Sequence, residues 1–458
     1  MKHKLLLIPL ALSGLASAAT LEETLAKTRL QLSGSLEFQI AQQYPDYAGY
    51  LPGSNGTAGK LHLKASSITK QQTTANLKAS SYSKQNFLSD IAGAQVLNVT
   101  YSYSDLVTTL GKIRYLNQSK NWITSMTIRA DLNKVELILK TANDATAVKS
   151  WLTQNAVAAD SYTVNTTKTL QLYSGKSSTP NYGTIHEWQR PFLMGTRIIS
   201  DPSAEKNPEN WCSAGYIAAG QVNGQPMYGF ITARHCIASD TQEIFQKFML
   251  RMRMFQPDRK DEFRNQINTG YNNDFIYKPK EGSGLDAVFV PLQSTGLELK
   301  LPITDPKGPT IREFRVVKGA YAEPGGFENL AHLYHTGQTS YTKLLYKGMD
   351  FDRVYPMIVN MQYTDYAEFT KFPYGSIPKY EIDTVMYCFN YLPSYNTTYD
   401  LINPGDSGSP VYDADTMTAV GIVNLGVKDY VNQKFSICMQ DWKTIARDLS
   451  VWMIPAAY

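Results

Sequence analysis

Hydrophobic and polar positions follow different patterns in the two parts of the chain. Between residues 21 and 172, apolar residues spaced three and four positions apart alternate with runs in which every second residue is apolar, which predicts helices mixed with strands. From about residue 197 onward the apolar runs are short, β-rich and separated by turns. The pattern therefore predicts an α+β region followed by a β-rich domain.

The α+β region contains elements in the order strand, helix, strand, strand, helix, strand. The strands are expected at residues 96–103, 122–129, 135–140 and 162–172, and the helices at residues 104–115 and 144–155. Ser104 is the expected N-cap of the first helix, and residues 131–134 (Asp-Leu-Asn-Lys) are the expected hairpin turn. This order matches the split βαβ, ferredoxin-like arrangement.

The segments around this series differ in composition. Residues 21–43 have helical spacing, whereas residues 52–84 are rich in Ser, Thr, Lys and Gly and predict loops or a weakly ordered linker. Residues 174–188 contain several Gly, Ser and Pro residues and predict the linker to the β-rich domain. In that domain, strands are expected at residues 228–232, 287–292, 342–346, 357–361, 410–413 and 419–425, and a helix at residues 440–451.

Composition and charge narrow the class of protein. A chain of 458 residues with 43% hydrophobic content is long enough to bury one or more large cores. The net charge of +4 comes without a dense stripe of Lys and Arg, so no nucleic-acid partner is expected.

The N-terminus has the features of a secretory signal peptide. Lys2 and Lys4 precede an apolar run at residues 5–15, and Ala-Ser-Ala at residues 16–18 provides a cleavage site. The apolar run is about half the length that spans a bilayer, and no later stretch reaches that length. We therefore expect residues 1–18 to be removed from a secreted protein, extracellular or periplasmic, that has no membrane span.

Two motifs carry the candidate chemistry. Residues 405–410 read Gly-Asp-Ser-Gly-Ser-Pro, and residues 232–236 read Thr-Ala-Arg-His-Cys. A serine attacks an amide at neutral pH only when a histidine takes its proton and backbone N–H groups receive the charge on the substrate oxygen. We assign Ser407 as nucleophile and His235 as base, with an oxyanion hole formed by the Gly405 and Ser407 amides. A lone Gly-Asp-Ser-Gly is often only a turn, whereas the two motifs together are far more specific.

Both motifs resemble those of the chymotrypsin-like serine proteases, whose histidine lies in Thr-Ala-Ala/Gly-His-Cys and whose serine lies in Gly-Asp-Ser-Gly-Gly-Pro. The order His, Asp, Ser is also that of this family, whereas subtilisin-like and α/β-hydrolase enzymes use other orders. The nearest similarity is to bacterial secreted proteases of the streptogrisin and α-lytic type. The resemblance implies an all-β catalytic domain of two six-stranded barrels with a short C-terminal helix.

The third member of the triad must orient the histidine and stabilise the imidazolium. Asp286 begins the run Asp-Ala-Val-Phe-Val-Pro-Leu, which resembles the family's Asp-Ile-Ala-Leu-Leu strand. The alternative is Asp274, which is followed by a shorter and more polar run. A triad aspartate is buried and the longer apolar run predicts burial, so we prefer Asp286.

Four cysteines form an even number, as expected for a chain sent to an oxidising compartment, and three pairings are possible. They are Cys212, Cys236, Cys388 and Cys438. The resemblance implies a Cys212–Cys236 bond beside the histidine and a Cys388–Cys438 bond between neighbouring strands. Zinc is the competing interpretation, but no close Cys-x-x-Cys spacing occurs, and neither a metal nor a cofactor is expected.

The family's spacing also places a specificity pocket. Its implied residues are Leu401 and Ile402 at the base, and Asn424, Leu425 and Gly426 along one wall. No carboxylate stands at this base, so the resemblance implies an apolar residue before the scissile bond. The alternative is a shift of the loop at residues 391–403 that brings the neighbouring Asp400 to the base.

Residues 128–135 resemble the hairpin in the pro-regions of α-lytic-type proteases. This implies that residues 19–185 are a pro-domain that templates the slow folding of the protease at residues 186–458 and covers its active site. The alternative is an accessory domain that the mature protein retains. Arg197-Ile198 resembles an activation junction, with a mature start near residue 198 whose new N-terminus would pair with Asp406.

The sequence thus predicts a secreted serine endopeptidase that is made as an inactive precursor. Its expected partners are a protein or peptide substrate and its own pro-domain. The alternative is a protease-shaped binding protein with weak or no turnover. Arg234 and Ser409 replace the family's small residue and second glycine, and these departures bear on the geometry of both loops.

Overall fold

Residue ranges on both sides of the predicted linker are described by a computed structural model. These ranges are 19–53, 57–64, 67–80, 91–141, 144–172, 175–176, 192–200, 210–222, 225–236, 254–256, 267, 284–292, 300–304, 310–320, 332–337, 341–347, 354–363, 380–390, 405–429 and 434–454. The predicted signal peptide, residues 1–18, lies outside them.

The N-terminal part contains both helices and strands. They are α1 Leu21–Leu32, α2 Leu36–Gln43, β1 Tyr47–Leu51, β2 Lys60–Leu63, α3 Ser67–Ala79, β3 Gln95–Asn98, α4 Tyr103–Asn117, β4 Ile123–Arg129, β5 Lys134–Leu139, α5 Ala145–Gln154, β6 Tyr162–Asn165 and β7 Lys168–Leu172. The expected series of strand, helix, strand, strand, helix and strand is present from β3 to β6.

Side-chain caps set two helix starts that differ from the expectation. The helical stretch at residues 21–43 is split, because Ser35 accepts the Phe38 N–H and begins α2. Helix α4 begins after Ser102 rather than Ser104. The Ser102 hydroxyl accepts the Asp105 N–H at 3.2 Å, and the Asp105 carboxylate accepts the Ser102 N–H at 2.8 Å, which is a capping box.

The prediction of loops at residues 52–84 was wrong, because this range contains β2 and α3. Strand β2 has partners on both sides, β1 and β3. Helix α3 is polar overall, but its Leu77 is completely buried in the core. Tertiary contacts here override a composition that disfavours regular structure.

Strand pairing in the N-terminal part differs from a ferredoxin-like sheet. Strand β3 spans only four residues and pairs in parallel with β2, in a sheet separate from β4, β5 and β6. Strands β4 and β5 form the expected hairpin, and β6 lies parallel to β5. The order of elements was therefore predicted correctly, but the strands are divided between two sheets.

The C-terminal part is mostly β. Its elements are β8 Gly175–Lys176, β9 Arg197–Ser200, β10 Asn210–Ser213, β11 Ile217–Val222, β12 Gln225–Thr232, β13 Met254–Phe255, β14 Val288–Pro291, β15 Lys300–Thr304, β16 Ile311–Val316, β17 Gly319–Ala320, β18 His332–Gly337, β19 Tyr341–Lys347, β20 Val354–Tyr363, β21 Tyr380–Asn390, β22 Pro410–Asp413, β23 Thr418–Asp429, β24 Lys434–Asp441, α6 Trp442–Leu449 and β25 Val451–Met453. Each expected strand overlaps one of these. Helix α6 starts later than expected, because Asp441 caps it through the Thr444 N–H at 2.9 Å.

The strands form open sheets that are compatible with a chymotrypsin-like β fold. The largest has the order β19-β18-β22-β23-β24-β21-β20-β4-β5-β6, and β7 and β17 also pair with β23. Smaller sheets have the orders β14-β12-β11-β25 and β13-β9-β10-β8. Two closed six-stranded barrels stay a prediction.

The two parts of the chain share one sheet and one core. Strand β20 of the C-terminal part pairs antiparallel with β4 of the N-terminal part, with Ile358 opposite Met126. A single hydrophobic cluster includes Leu110 and Leu137 from the N-terminal part and Val385 from the C-terminal part. None of the described helices is long and apolar enough to cross a membrane.

Candidate active site

Three side chains from distant parts of the chain form one hydrogen-bonded series. His235 Nε2 lies 2.7 Å from Ser407 Oγ, and His235 Nδ1 lies 2.8 Å from Asp286 Oδ2. With Nδ1 donating to the carboxylate, Nε2 is left as the acceptor for the Ser407 hydroxyl proton. All three residues are buried, and Ser407 is 0% exposed.

Hydrogen bonds hold the Asp286 carboxylate on several sides. Its Oδ1 accepts the His235 backbone N–H at 3.0 Å, and its Oδ2 also accepts from Asn424 Nδ2 at 2.9 Å. Burial by itself raises the pKa of Asp286, but the facing His235 and the hydrogen bonds from His235 and Asn424 outweigh it and lower this pKa. The carboxylate is therefore ionised beside the histidine at neutral pH.

The pairing of β12 with β14 brings the histidine and the aspartate together. Thr232 at the end of β12 lies opposite Val288 at the start of β14. His235 follows in a short 3₁₀ turn, Arg234–Cys236, and Asp286 immediately precedes β14. Because the two strands are antiparallel neighbours, both side chains emerge at the same edge of the sheet.

Ser407 lies in a turn before β22 that requires glycine. Gly405 and Gly408 have φ angles of 108° and 86°, a region that disfavours residues with a Cβ. A Cβ at Gly408 would also clash with Thr232 Oγ1. The turn is fixed to β10, because Ser213 donates its backbone N–H to the Ser407 carbonyl oxygen at 2.9 Å and its hydroxyl to the Gly405 carbonyl oxygen at 3.0 Å.

The amides expected to form the oxyanion hole differ from the next two amides of the turn in their hydrogen bonding. The Gly408 N–H donates to the Val423 carbonyl oxygen, and the Ser409 N–H donates to the Asp406 carbonyl oxygen. Within the described part of the chain, no acceptor takes the N–H of Gly405 or Ser407. An oxyanion hole made of these two N–H groups stays a prediction.

The Cys212–Cys236 disulfide joins β10 to the turn that carries His235. The second disulfide, Cys388–Cys438, connects residues that lie directly opposite each other on β21 and β24. Both of the implied pairings are thus present in the structure.

The implied pocket residues have different locations. Leu401 and Ile402 lie outside the described residues, as does the alternative triad acid Asp274. The Asn424 side chain donates a hydrogen bond to Asp286, and its place in a pocket wall stays a prediction. Leu425 is buried in a cluster with both cysteines of the second disulfide, and Gly426 pairs with Gln171 of β7.

The departures from the family motifs have local explanations in part. Ser409 is buried, and its hydroxyl lies 3.3 Å from Nδ1 of His335, which is also buried. On the same strand, His332 Nδ1 lies 2.9 Å from Asp415 Oδ2. Among the described residues, no cluster of His, Cys, Asp and Glu side chains could hold a metal ion.

Comparisons with known proteins give only weak similarities. No protein-family model matches the chain, and no curated protein sequence matches it significantly. A glutamic acid-specific serine protease described as using a histidine triad in substrate binding has a similar structure, with 12% identity, a TM-score of 0.34, and coverage of 57% of this chain and 100% of that chain. The protease of tobacco vein mottling virus has 12% identity, a TM-score of 0.20, and coverage of 51% of this chain and 80% of that chain. Both are proteases, but similarities with such TM-scores support no argument about function.

Proposed function

We propose that the protein is a secreted serine endopeptidase that uses Ser407, His235 and Asp286 as a catalytic triad. The observation that carries the proposal is the buried hydrogen-bonded series from Ser407 Oγ through His235 to Asp286. A serine, a histidine and a carboxylate in this geometry supply a nucleophile, a base and the group that orients the base.

In the proposed reaction, Ser407 Oγ attacks the carbonyl carbon of a peptide bond and His235 Nε2 takes its proton. The Gly405 and Ser407 amides receive the charge that develops on the carbonyl oxygen. His235 then protonates the leaving amine, and water hydrolyses the acyl-enzyme with His235 again acting as base. Asp286 stays ionised and stabilises the imidazolium in both steps.

We further propose that the full-length chain is the inactive precursor and that its N-terminal part acts as chaperone and inhibitor. Ser407 is completely buried, and β7 of the N-terminal part lies on β23 directly beside the triad. This burial supports the proposal, because a peptide bond must reach Ser407 before it can be cleaved. Export by the predicted signal peptide and a preference for apolar residues before the scissile bond complete the proposal.

The test is covalent labelling of the secreted, processed chain with an active-site-directed organophosphonate, followed by mapping of the label by mass spectrometry. We expect labelling confined to Ser407 and its loss in Ser407→Ala. The matched control is Ser409→Ala, which removes the neighbouring hydroxyl but keeps the label. A folded, processed chain that takes no label would contradict the proposal and favour a binding protein of similar shape.

A further inference from the structure

The backbone that leads into Asp286 rests on strand β21. The Asp383 N–H donates to the Gly284 carbonyl oxygen at 3.0 Å. A Cβ at Gly284 would lie only 2.5 Å from the Asp383 nitrogen, and the φ angle of 64° also favours glycine there, so the two backbones pack directly against each other. Leu285, the one residue between Gly284 and Asp286, is completely buried in the core. The position of Asp383 therefore sets where the chain enters Asp286.

Strand β21 also supports Asp286 by a second route. The Gln440 side-chain Nε2 donates to the Val385 carbonyl oxygen of β21 at 3.1 Å. The Gln440 backbone N–H donates to Asn424 Oδ1 at 2.9 Å, and Asn424 Nδ2 donates to the Asp286 carboxylate at 2.9 Å. All four of these residues are buried. The main chain before Asp286 and the Asp286 carboxylate are thus both connected to β21 by hydrogen bonds.

The N-terminal part holds β21 through Asp383. Arg114 of α4 donates from Nε to Asp383 Oδ1 at 2.9 Å, and Lys27 of α1 donates from Nζ to Asp383 Oδ2 at 2.7 Å. Gln31 of α1 adds a hydrogen bond from Nε2 to the Asp383 carbonyl oxygen at 3.1 Å. Because Arg114 is only 2% exposed, its ion pair is shielded from water and restrains β21 more strongly than a surface ion pair does.

We propose that helices α1 and α4 of the N-terminal part position the triad acid through β21, with Arg114 and Asp383 as positioning residues. This inference rests on the proposed serine protease function. A series of buried hydrogen bonds can pass on such a restraint, because each member fixes the orientation of the next. The N-terminal part then has a role besides those of chaperone and inhibitor. Loss of an ion pair that touches neither His235 nor Asp286 weakens the hydrogen bond between them.

The test measures how fast the His235 Nδ1 proton exchanges with water, by proton NMR of the full-length Ser407→Ala chain at neutral pH. This proton lies in the hydrogen bond to Asp286, so its exchange is slow while the carboxylate is held in place. The resonance is assigned by its loss in His235→Gln. We expect Arg114→Gln to speed the exchange by about tenfold. Lys27→Gln should speed it by about threefold, because Lys27 is 33% exposed and its ion pair is weaker.

The matched control is Arg129→Gln, which removes another ion-paired arginine of the N-terminal part. Arg129 pairs with Asp131 and Glu136 in the β4–β5 hairpin. This change should lower the thermal midpoint but keep the exchange of the His235 proton within about twofold. An equal acceleration in Arg129→Gln and Arg114→Gln would reflect a general loss of stability and would overturn the inference.

An exchange rate that is unchanged in both Arg114→Gln and Lys27→Gln would also overturn the inference and leave the proposed function in place. If Arg114→Gln does not fold, Lys27→Gln decides alone, and an unchanged rate counts against the inference. A folded Ser407→Ala chain without the resonance would contradict the hydrogen bond on which both proposals stand. Organophosphonate labelling of the processed wild type then separates them, because a labelled Ser407 keeps the proposed function and loses only this inference.

Discussion

Asn424 connects Asp286, the proposed triad acid, to the backbone of β24. Its Nδ2 donates to the Asp286 carbonyl oxygen at 2.6 Å and to the carboxylate at 2.9 Å, and its Oδ1 accepts the Gln440 N–H at 2.9 Å. One buried amide therefore fixes both the backbone and the side chain of Asp286. A buried carboxylate that is held in this way keeps a single orientation toward His235.

At the residue scale, the choice of Asp286 over Asp274 is directly testable. Asp286→Asn should lower kcat by about 10⁴-fold, because the amide no longer holds the productive tautomer of His235 or stabilises its imidazolium. Asp274→Asn is the matched control and should keep kcat within about twofold. The measurement is steady-state hydrolysis of a peptide with Phe or Leu before the scissile bond. A large loss in the Asp274 variant and none in the Asp286 variant would reverse the assignment.

The residues of the site differ in how well the sequence alone could predict them. Ser407, His235 and Asp286 lie in short segments whose residue types are demanded by the chemistry, so each was a candidate before the structure was known. Asn424 was assigned to a pocket wall from the family's spacing. Its hydrogen bond to Asp286 could not be predicted, because Asp286 is 138 residues away and nothing in the neighbouring sequence marks that contact. The only local signal is one amide within the apolar run of β23.

Side chains of helices α1 and α4 both bind one carboxylate on β21, that of Asp383. The Asp383 side chain accepts from Lys27 Nζ at 2.7 Å and from Arg114 Nε at 2.9 Å, and its backbone N–H donates to the Gly284 carbonyl oxygen at 3.0 Å. Asn360 of β20 adds a longer contact at 3.4 Å. Asp383 thus ties the N-terminal helices to the backbone two residues before Asp286.

At the element scale, this cluster should make the attachment of the helices sensitive to acid. Burial raises the pKa of Asp383, but Arg114 and Lys27 outweigh it and lower this pKa below its usual range. A lowered pKa gives a stabilisation that is fully present above the ordinary Asp pKa of about 4 and is lost as the pH falls through the lowered value.

The measurement is the thermal midpoint of the uncut Ser407→Ala chain at several pH values, with and without Asp383→Asn. We expect Asp383→Asn to destabilise by about 3 kcal/mol near pH 7, because it leaves Arg114, which is 2% exposed, without its counter-charge. The difference between the two chains should shrink below about pH 4. A difference that does not change with pH would show that the Asp383 charge is unimportant.

Helices and strands could be predicted from the sequence where burial gives a regular apolar pattern. They could not be predicted where pairing with a distant part of the chain sets their bounds or their sheet. Strand β22 matches the expected residues 410–413, because both its ends are set by local turn residues. Apolar alternation extends to residue 103, but strand β3 ends at Asn98. Ser102 is the N-cap of α4, so the residues that follow it are helical. The membership of β3 in a separate sheet depends on β2, which local patterns did not reveal.

At the scale of the whole molecule, the sheet does not stop at the expected boundary between the two parts. Strand β20 has β21 on one side and β4 on the other, and β23 carries β7 in addition to its neighbours β22 and β24. Removal of the N-terminal part exposes the unpaired edges of long strands, which promote association and slow folding. The two parts therefore share one sheet although the sequence divides them clearly.

This arrangement predicts that residues 186–458 need the N-terminal part to fold. After dilution from denaturant, the isolated segment should recover organophosphonate labelling of Ser407 only when residues 19–185 are supplied as a separate chain. The N-terminal chain with Arg114→Gln is the control, and it should restore labelling more slowly because its contact with Asp383 is lost. Full recovery of residues 186–458 alone at the same rate would exclude the chaperone role.

The Cys212–Cys236 bond bears on the compartment in which the proposed enzyme becomes active. It is the covalent link between the β10 strand and the histidine turn, and such bonds form after a protein leaves the reducing cytoplasm. In the proposed secreted enzyme, only weaker contacts hold the turn of His235 before export, and we expect the base to be imperfectly placed for Ser407 until the bond forms. We therefore expect the producing cell to be protected from the proposed hydrolase by the redox state of the compartment, in addition to the burial of Ser407.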